Sequence, residues 1–370
     1  MSNLNKLLIA NRGEIAIRIT RAAQELGLTA VAIYPEDDAQ SLHVRLADEA
    51  VLLEGRGASA YLDIARIVQL AKDAGCDGIH PGYGFLSENA NFAAAVEAAG
   101  MTFIGPSVVA LDAFGDKAKA RALAQACAVP VVAGLSEAIT LQQAQAFFAT
   151  YADSGILLKA IAGGGGRGMR IVRSADELAG AFTRCQSEAL AAFANDGLYV
   201  EQLVASPRHI EVQIIGDGSG AVSHIWEREC SLQRRHQKLV EIAPSPTLDP
   251  AMRRAMCDAA VRLGQEINYA GLGTIEFLLD TNANEFFFIE ANARLQVEHT
   301  VTEEVTGIDL VRAQIEVAGG ASLNDLGLQQ ADVPAPRGYA IQLRVNMETM
   351  TAEGDVMPAG GRLFKFEVPT

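Results

Sequence analysis

Several features that mark whole classes of protein are scarce or missing in this sequence. The five cysteines, Cys76, Cys127, Cys185, Cys230 and Cys257, are scattered, odd in number and nowhere spaced C-x-x-C. That pattern argues against a disulfide framework or zinc centre and for reduced thiols in the cytoplasm. No apolar run approaches the length of a membrane span. The N-terminus, MSNLNKLLIANRGE, has a four-residue apolar core and no small-residue cleavage site, which speaks against a signal peptide. Positive charge is also short: 30 Lys and Arg stand against 45 Asp and Glu, a formal net charge of −15. Nucleic acid and anionic membrane surfaces require basic faces, so neither is expected as a partner.

Four further signatures are missing as well. The first strand-to-helix turn reads ANRGEIA and lacks G-x-G-x-x-G, so Glu36, Asp37 and Asp38 after the second strand do not complete a nicotinamide-binding fold. No G-x-x-x-x-G-K-[ST] phosphate loop occurs anywhere. Neither does G-x-S-x-G or a convincing Cys–His pair, which argues against covalent acyl transfer.

What is present suggests two or three domains in 370 residues, with 49% hydrophobic residues to fill their cores. The first third alternates short apolar strands with amphipathic helices. KLLIA (6–10), TAVAIY (29–34), GIHPG and TFIG read as strands, separated by helices at 14–27, 63–74 and 88–99. This order predicts a parallel, doubly wound α/β sheet. Ser87 in HPGYGFLSENANFA reads as a helix N-cap at a tight β–α turn. DKAKARALAQAC leads into VPVV, a candidate domain boundary. GILLKAIA and MRIV are two strands around a glycine run, and Ser174 to Glu177 fits a capping box. Further strands are expected at LYVEQLV, RHIEVQIIG, AVSHIWERE, YAIQLRVN and RLFKFEV, with helices over 250–268 and from Gly307 to Ala318.

The sharpest signal is the hairpin GTIEFLLD–TNAN–EFFFIEAN and its continuation ARLQVEH. A turn centred near Ala283 places Glu276 opposite Glu290. Like charges at that position are destabilising, and flanking Phe277 and Ile289 make burial expensive. A hard divalent cation such as Mg²⁺ relieves both costs, with Asn292 offering a further oxygen. The competing reading is a pair of solvated edge-strand acids, one of them paired with Arg294. If the strand stays extended, Glu290, Asn292, Arg294, Gln296 and Glu298 share one face. Two other stretches suit an anion. The run AGGGGRGMR (162–170) offers backbone N–H groups beside Lys159, although a plain flexible hairpin gives the same pattern. WERECSLQRRHQKLVE (226–241) gathers Arg228, Arg234, Arg235, His236 and Lys238, alternatively paired with Glu227, Glu229 and Glu241.

Taken in order, these pieces resemble the ATP-grasp fold, and within it biotin carboxylase, the component of biotin-dependent carboxylases that charges biotin with CO₂. The segments that carry the resemblance are IANRGEIAIRI, HPGYGFLSENANFA, GGGGRGMR, ERECSLQRRHQK and ARLQVEHTVTE, and it extends from Ile9 to Arg344. It implies an N-terminal domain over 1–115, an ATP-grasp domain over 116–320 with a mobile glycine-rich lid at about 133–202, and the start of a β-rich C-terminal domain over 335–370 that normally continues further. By the same resemblance, Lys117, Lys159, Gly165, Gly166, His209, Gln233 and His236 contact ATP, and Glu201, Gln202, Leu203 and Val204 hold the adenine edge. Glu276, Glu290 and Asn292 hold Mg²⁺ or Mn²⁺. Lys238, Arg294, Gln296 and Val297 position bicarbonate, Glu298 is its general base, and Arg344 stabilises the biotin enolate. A biotin carboxyl carrier domain, a carboxyltransferase and a second copy of the chain are the implied partners. ARLQVEHTVTEEVTGIDLV and RVNMET lean toward a fused acyl-CoA carboxylase. Ala293, Ala162, Ile242 and the run Gln342 to Asn346 depart from the family pattern without removing a proposed catalytic group. The rival readings are another ATP-grasp ligase, such as one forming carbamoyl phosphate, and a non-catalytic nucleotide-binding module.

Overall fold

In the first third of the chain, alternate residues of the inner strands are buried on opposite sides of one sheet. The computed structural model describes residues 4–135, 137–161, 168–205, 207–235, 237–361 and 363–367. Strands β1 (Lys6–Ile9), β2 (Thr29–Tyr34), β3 (Glu49–Leu52), β4 (Gly78–His80) and β5 (Thr102–Phe103) form a parallel sheet in the order β3-β2-β1-β4-β5. Between them lie α1 (Gly13–Glu25), α2 (Leu42–Leu46), α3 (Ile64–Asp73) and α4 (Ala90–Ala98), and α5 (Val108–Gly115) follows. Leu7, Ile9 and Ala30 point into the core that holds Ile15, Ile19 and Ala23 of α1. Leu8, Val31, Ile33 and Ile79 enter the opposite core with Ile67, Leu70, Phe92 and Val96 of α3 and α4. Both faces are covered, which is why these strands read as unbroken apolar runs. β3, α2 and the start of α4 differ from expectation. The α4 cap is Asn89, whose side chain accepts from Phe92 N, whereas Ser87 is buried ahead of it in the turn.

The middle of the chain builds a smaller antiparallel sheet, order β6-β9-β7-β8. After α6 (Lys117–Ala126) come β6 (Gly134–Leu135), α7 (Leu141–Thr150), β7 (Ile156–Ala160), β8 (Met169–Val172), α8 (Ala175–Phe193) and β9 (Leu198–Gln202). Phe148, Leu158, Phe182 and Val200 form its own core. The expected capping box at Ser174 and Glu177 is not formed, since Ser174 makes no side-chain cap bond. Thr140 and Gln143 cap α7 reciprocally instead.

The third sheet is antiparallel, six-stranded, and ordered β14-β13-β10-β11-β12-β15. It comprises β10 (Arg208–Asp217), β11 (Val222–Arg234), β12 (Gln237–Ala243), β13 (Ala270–Asp280), β14 (Glu285–Asn292) and β15 (Ala340–Leu343). Helix α9 (Pro250–Glu266), capped by Asp249 with Pro250 in its first turn, packs on β10 and β11. Helices α10 (His299–Thr306) and α11 (Leu310–Ala318) follow β14, and a short hairpin of β16 (Glu348–Met350) and β17 (Val356–Pro358) comes last. Residues 363–367 of the expected strand RLFKFEV are not in a strand, and Arg362 and Val368 lie outside the described residues.

Burial depresses the imidazoles of His80 and His299 to about 3 and about 4, and lowers those of His43 and His224 as well. A base with a depressed folded pKa binds more protons unfolded than folded, so stability falls as pH drops below the unfolded value near 6.5. His209 has the opposite sign, because Glu276 overcomes its burial and raises it. Its contribution is lost as pH rises through its folded value. The carboxyls of Glu241, Glu290 and Glu303, raised chiefly by burial, share the sign of His209. The histidine contribution is therefore read by comparison: in urea unfolding between pH 6.5 and 5, wild type is expected to lose about 2 kcal/mol more stability than His80→Asn. An equal loss in the two proteins contradicts this.

Candidate active site

Register in the six-stranded sheet lines up three carboxylates. Glu276 on β13 pairs directly with Glu290 on β14, and on its other side with Glu211 on β10, which in turn pairs with Arg228 on β11. One row across four strands thus reads Glu290–Glu276–Glu211–Arg228. The Glu276–Glu290 pairing is the one expected, but it is reached through a β-bulge between Glu276 and Phe277, since nearer the turn Asp280 pairs with Glu285 and Phe277 with Phe288. The next row holds Asn292, Thr274 and Gln213.

Three cations sit against this row. Lys238 on β12 donates from Nζ to Glu211 at 2.6 Å, to Glu276 at 2.8 Å and to Glu298 at 2.8 Å. Arg228 is fully buried. Its Nε donates to Glu211, and its terminal nitrogens donate to Gln213, Thr302 and Thr274. His209 Nε2 lies 2.7 Å from Glu276 Oε2, while Nδ1 meets Gln233 at 3.0 Å. Burial raises the Glu211 carboxyl, but Lys238 and Arg228 outweigh it and hold the group at about 2. Glu276 is likewise driven down by Lys238 and His209 against its own burial. Lys238 is pushed well above its ordinary value by Glu211, Glu276 and Glu298, despite burial acting the other way. Removing Lys238 would strand buried carboxylates, a situation that costs about 3–5 kcal/mol.

Glu290 behaves differently. Among the described residues no salt bridge reaches it, and burial together with the Glu276 charge raises its carboxyl. An oxygen-only pair with one member held above its ordinary value fits a hard divalent cation, which removes the repulsion. Asn292 does not yet offer its oxygen: Nδ2 donates to Glu276 at 2.8 Å, and Oδ1 accepts from Arg294 at 2.9 Å.

The polar stretch after β14 is not one extended strand. The strand ends at Asn292, and Glu298 immediately precedes α10. The side chains converge all the same. Arg294 donates to Gln296 Oε1 at 3.0 Å, and Gln296 Nε2 lies 3.4 Å from Glu276. Val297, half-buried, sits in the turn between Gln296 and Glu298. Glu298 is fully buried between two cations, Lys238 on one oxygen and Arg344 on the other at 2.8 Å. Arg344 also donates from Nε to Glu241 at 2.6 Å, and Arg294 donates from Nε to Glu88 at 2.7 Å.

On the side of the smaller sheet, Glu201 on β9 receives Arg121 at 3.0 Å and Lys159 at 2.5 Å. Gln202 N and Leu203 N are bonded to Ala133 O and Gly155 O, with Val204 next in the chain. Lys117, lowered chiefly by burial, lines a cavity of about 190 Å³ with Asp116, Arg121, Ile161 and Tyr199. A larger cleft of about 490 Å³, lined by Pro130, Met252 and Phe286 among others, contains none of these groups. Gly165, Gly166 and His236 lie outside the described residues. Sequence reasoning did not place Glu88, Arg121 or Glu211 in the site, took Glu241 only as a member of an ion pair, and read Arg228 as part of an anion-binding stretch or of such pairs, whereas it is buried against Glu211. For Glu211 a signal existed: His209, Glu211 and Gln213 alternate along β10.

Comparison with known proteins places this geometry. Residues 3–111 match the family model for the biotin carboxylase N-terminal domain, and residues 116–326 that for the carbamoyl-phosphate synthase L chain ATP-binding domain. Human mitochondrial pyruvate carboxylase is 53% identical over 349 residues, covering 93% of this chain and 29% of that protein. The chain spans about a third or less of the length of the curated relatives it matches. Among solved structures, biotin carboxylase from Campylobacter jejuni, in complex with a β,γ-ATP compound, aligns with a TM-score of 0.89 at 40% identity, covering 97% of this chain and 81% of that one. The biotin carboxylase domain dimer of Hydrogenobacter thermophilus 2-oxoglutarate carboxylase, bound to MgADP, ADP and bicarbonate, aligns at 0.87 and 44%, covering 93% and 75%. The parallel N-terminal sheet, the ATP-grasp region with its antiparallel sheets and the β-rich end are those of the α/β biotin carboxylase fold. This chain belongs to the biotin carboxylase family, the ATP-dependent, C–N bond-forming ligases of biotin-dependent carboxylases.

Proposed function

We propose that the chain uses ATP and bicarbonate to carboxylate biotin carried on a separate domain, by way of carboxyphosphate. The observation that carries this is Glu298, buried and clasped between Lys238 and Arg344 beside Arg294 and Gln296. Bicarbonate is a weak nucleophile, so a carboxylate must take its proton as an oxygen attacks the γ-phosphorus. Glu298 is that base in our reading, with Lys238, Arg294, Gln296 and Val297 fixing the anion. Lys117, Lys159, His209, Gln233, His236, Gly165 and Gly166 would hold the nucleotide, and Glu201 to Val204 the adenine. Glu276 and Glu290, with Asn292 once its amide turns, would hold Mg²⁺ or Mn²⁺, which supplies charge neutralisation for the triphosphate. Carboxyphosphate then splits to CO₂ and phosphate, phosphate takes the N1 proton of biotin, and Arg344 steadies the enolate oxygen while N1 attacks CO₂.

The rest of the assembly belongs to the same proposal. It includes a carrier domain, a carboxyltransferase and a homodimer, the last supported by the dimer named for the 2-oxoglutarate carboxylase domain. Pyruvate is the acceptor best supported, by the human relative, ahead of the acyl-CoA suggested by local sequence flavour. The units at 1–115, 116–320 with a lid at 133–202, and 335 onward are working bounds. Residence in the cytoplasm is supported by five free cysteines. Among the described residues no helix is long and apolar enough to cross a membrane.

Two substitutions test the site. Glu298→Gln is expected to keep ATP binding but to lose bicarbonate-dependent ADP release by about 10²–10⁴-fold, followed by a coupled ADP assay and calorimetry. Undiminished turnover would refute its role as base. Glu290→Gln removes the repulsion with Glu276, so the metal-free protein should melt no lower than wild type while stabilisation by Mg-ATP shrinks. A lower melting point with undiminished Mg-ATP stabilisation would contradict the metal assignment.

A further inference from the structure

Glu241 has no part in the mechanism above, yet it is fully buried beside it. It sits on β12 directly opposite Gln342 of β15, and Arg344 lies two residues further along, its N–H bonded to Leu239 O. Glu241 and Arg344 are therefore diagonal neighbours across the ladder, within reach for a long side chain. Arg344 Nε donates to Glu241 Oε1 at 2.6 Å. Among the described residues Arg344 is the one donor to this carboxylate, and the other oxygen, Oε2, is buried without a partner. Burial raises the Glu241 carboxyl, Arg344 opposes it, and the charges of Glu298 and Glu211 add to the rise. The Arg344 guanidinium is thus held at two nitrogens, Nε by Glu241 and Nη2 by Glu298.

These two anchors differ in what the reaction does to them. When Glu298 accepts the bicarbonate proton, its hold on Nη2 weakens, and that edge becomes available to the oxygen of a second ligand. Glu241 is untouched by this proton transfer. We infer that Glu241 is a positioning residue: it fixes the Arg344 guanidinium from behind, so that release by Glu298 presents Nη2 to the biotin ureido oxygen instead of letting the side chain swing into solvent. The edge-strand setting makes such an anchor necessary. Arg344 follows the last residue of an edge strand whose neighbouring Leu343 and Val345 are 65% and 81% exposed, while its own side chain is 23% exposed and turned toward Glu241 and Glu298.

The inference rests on the proposed biotin carboxylation, and the test separates the two. Wild type and Glu241→Gln are assayed for ADP release with bicarbonate alone and with free biotin added. The expected result is a KM for biotin raised about tenfold or more in Glu241→Gln, with the biotin-free rate within about twofold of wild type. Glu241→Asp, which keeps the charge, should recover part of the loss, and it carries the test if Glu241→Gln does not fold. In an Arg344→Ala background, Glu241→Gln should cost nothing further, because the group it positions is gone. An unchanged KM for biotin, or an equal loss in the Arg344→Ala background, would overturn the inference. Wild type that biotin does not stimulate would overturn the underlying reading, and this inference with it.

Discussion

Glu290, Glu276 and Glu211 share one row across three adjacent strands, and the ladder register gives them no way to separate. Like charges so placed oppose folding unless something compensates. Much else in the site follows from that requirement. Arg228 closes one end of the row, Lys238 bridges its middle, and His209 leans on Glu276. The end without a cation partner among the described residues, Glu290, is where a metal has most to offer. In the proposed reading the protein balances its acids at one end and leaves them to a metal ion at the other, where Lys117, Lys238 and His209 offset the rise of Glu290 only in part.

Lys238 extends the same balance to the chemistry. Its third carboxylate is Glu298, so one ammonium ties the metal-facing row to the group proposed as base. Arg344 continues the alternation of charge to Glu241. The series Arg228, Glu211, Lys238, Glu298, Arg344, Glu241 crosses from the centre of the sheet to its edge. A change of protonation at Glu298 is felt by both of its cations. Lys238 retains two other carboxylates, whereas Arg344 retains one.

How much of this the sequence revealed depends on how far each contact reaches along the chain. The Glu276–Glu290 pairing was legible to within one residue because a four-residue turn fixes a hairpin register locally, and a β-bulge between Glu276 and Phe277 supplies the one-residue shift that brings the two acids opposite each other. Glu211 joins the row only through the β10–β13 pairing, about sixty residues away, and no local pattern specifies that partner. Glu241 and Arg344 meet across a still longer separation. The N-terminal sheet was read nearly strand for strand because parallel strands covered on both faces are unbroken apolar runs. The exposed β3 lacks that signal and was missed. Capping errors have a simple cause: Ser87 and Ser174 had suitable side chains, but Asn89 bonded the helix N–H groups at one site and no side chain did at the other. The expected extended run to Glu298 failed at Asn292, yet its residues still converge, because the turn before α10 folds them back toward Glu276.

The central claim is that bicarbonate attacks the γ-phosphorus under the control of Glu298 and its two cations. The most direct measurement follows oxygen atoms. With bicarbonate labelled with heavy oxygen and unlabelled water, Mg-ATP is turned over and the released phosphate is weighed by mass spectrometry. The account predicts one labelled oxygen in each phosphate, left behind when carboxyphosphate gives up CO₂. Unlabelled phosphate, three oxygens from ATP and the fourth from water, would show that water attacks instead, and would contradict it.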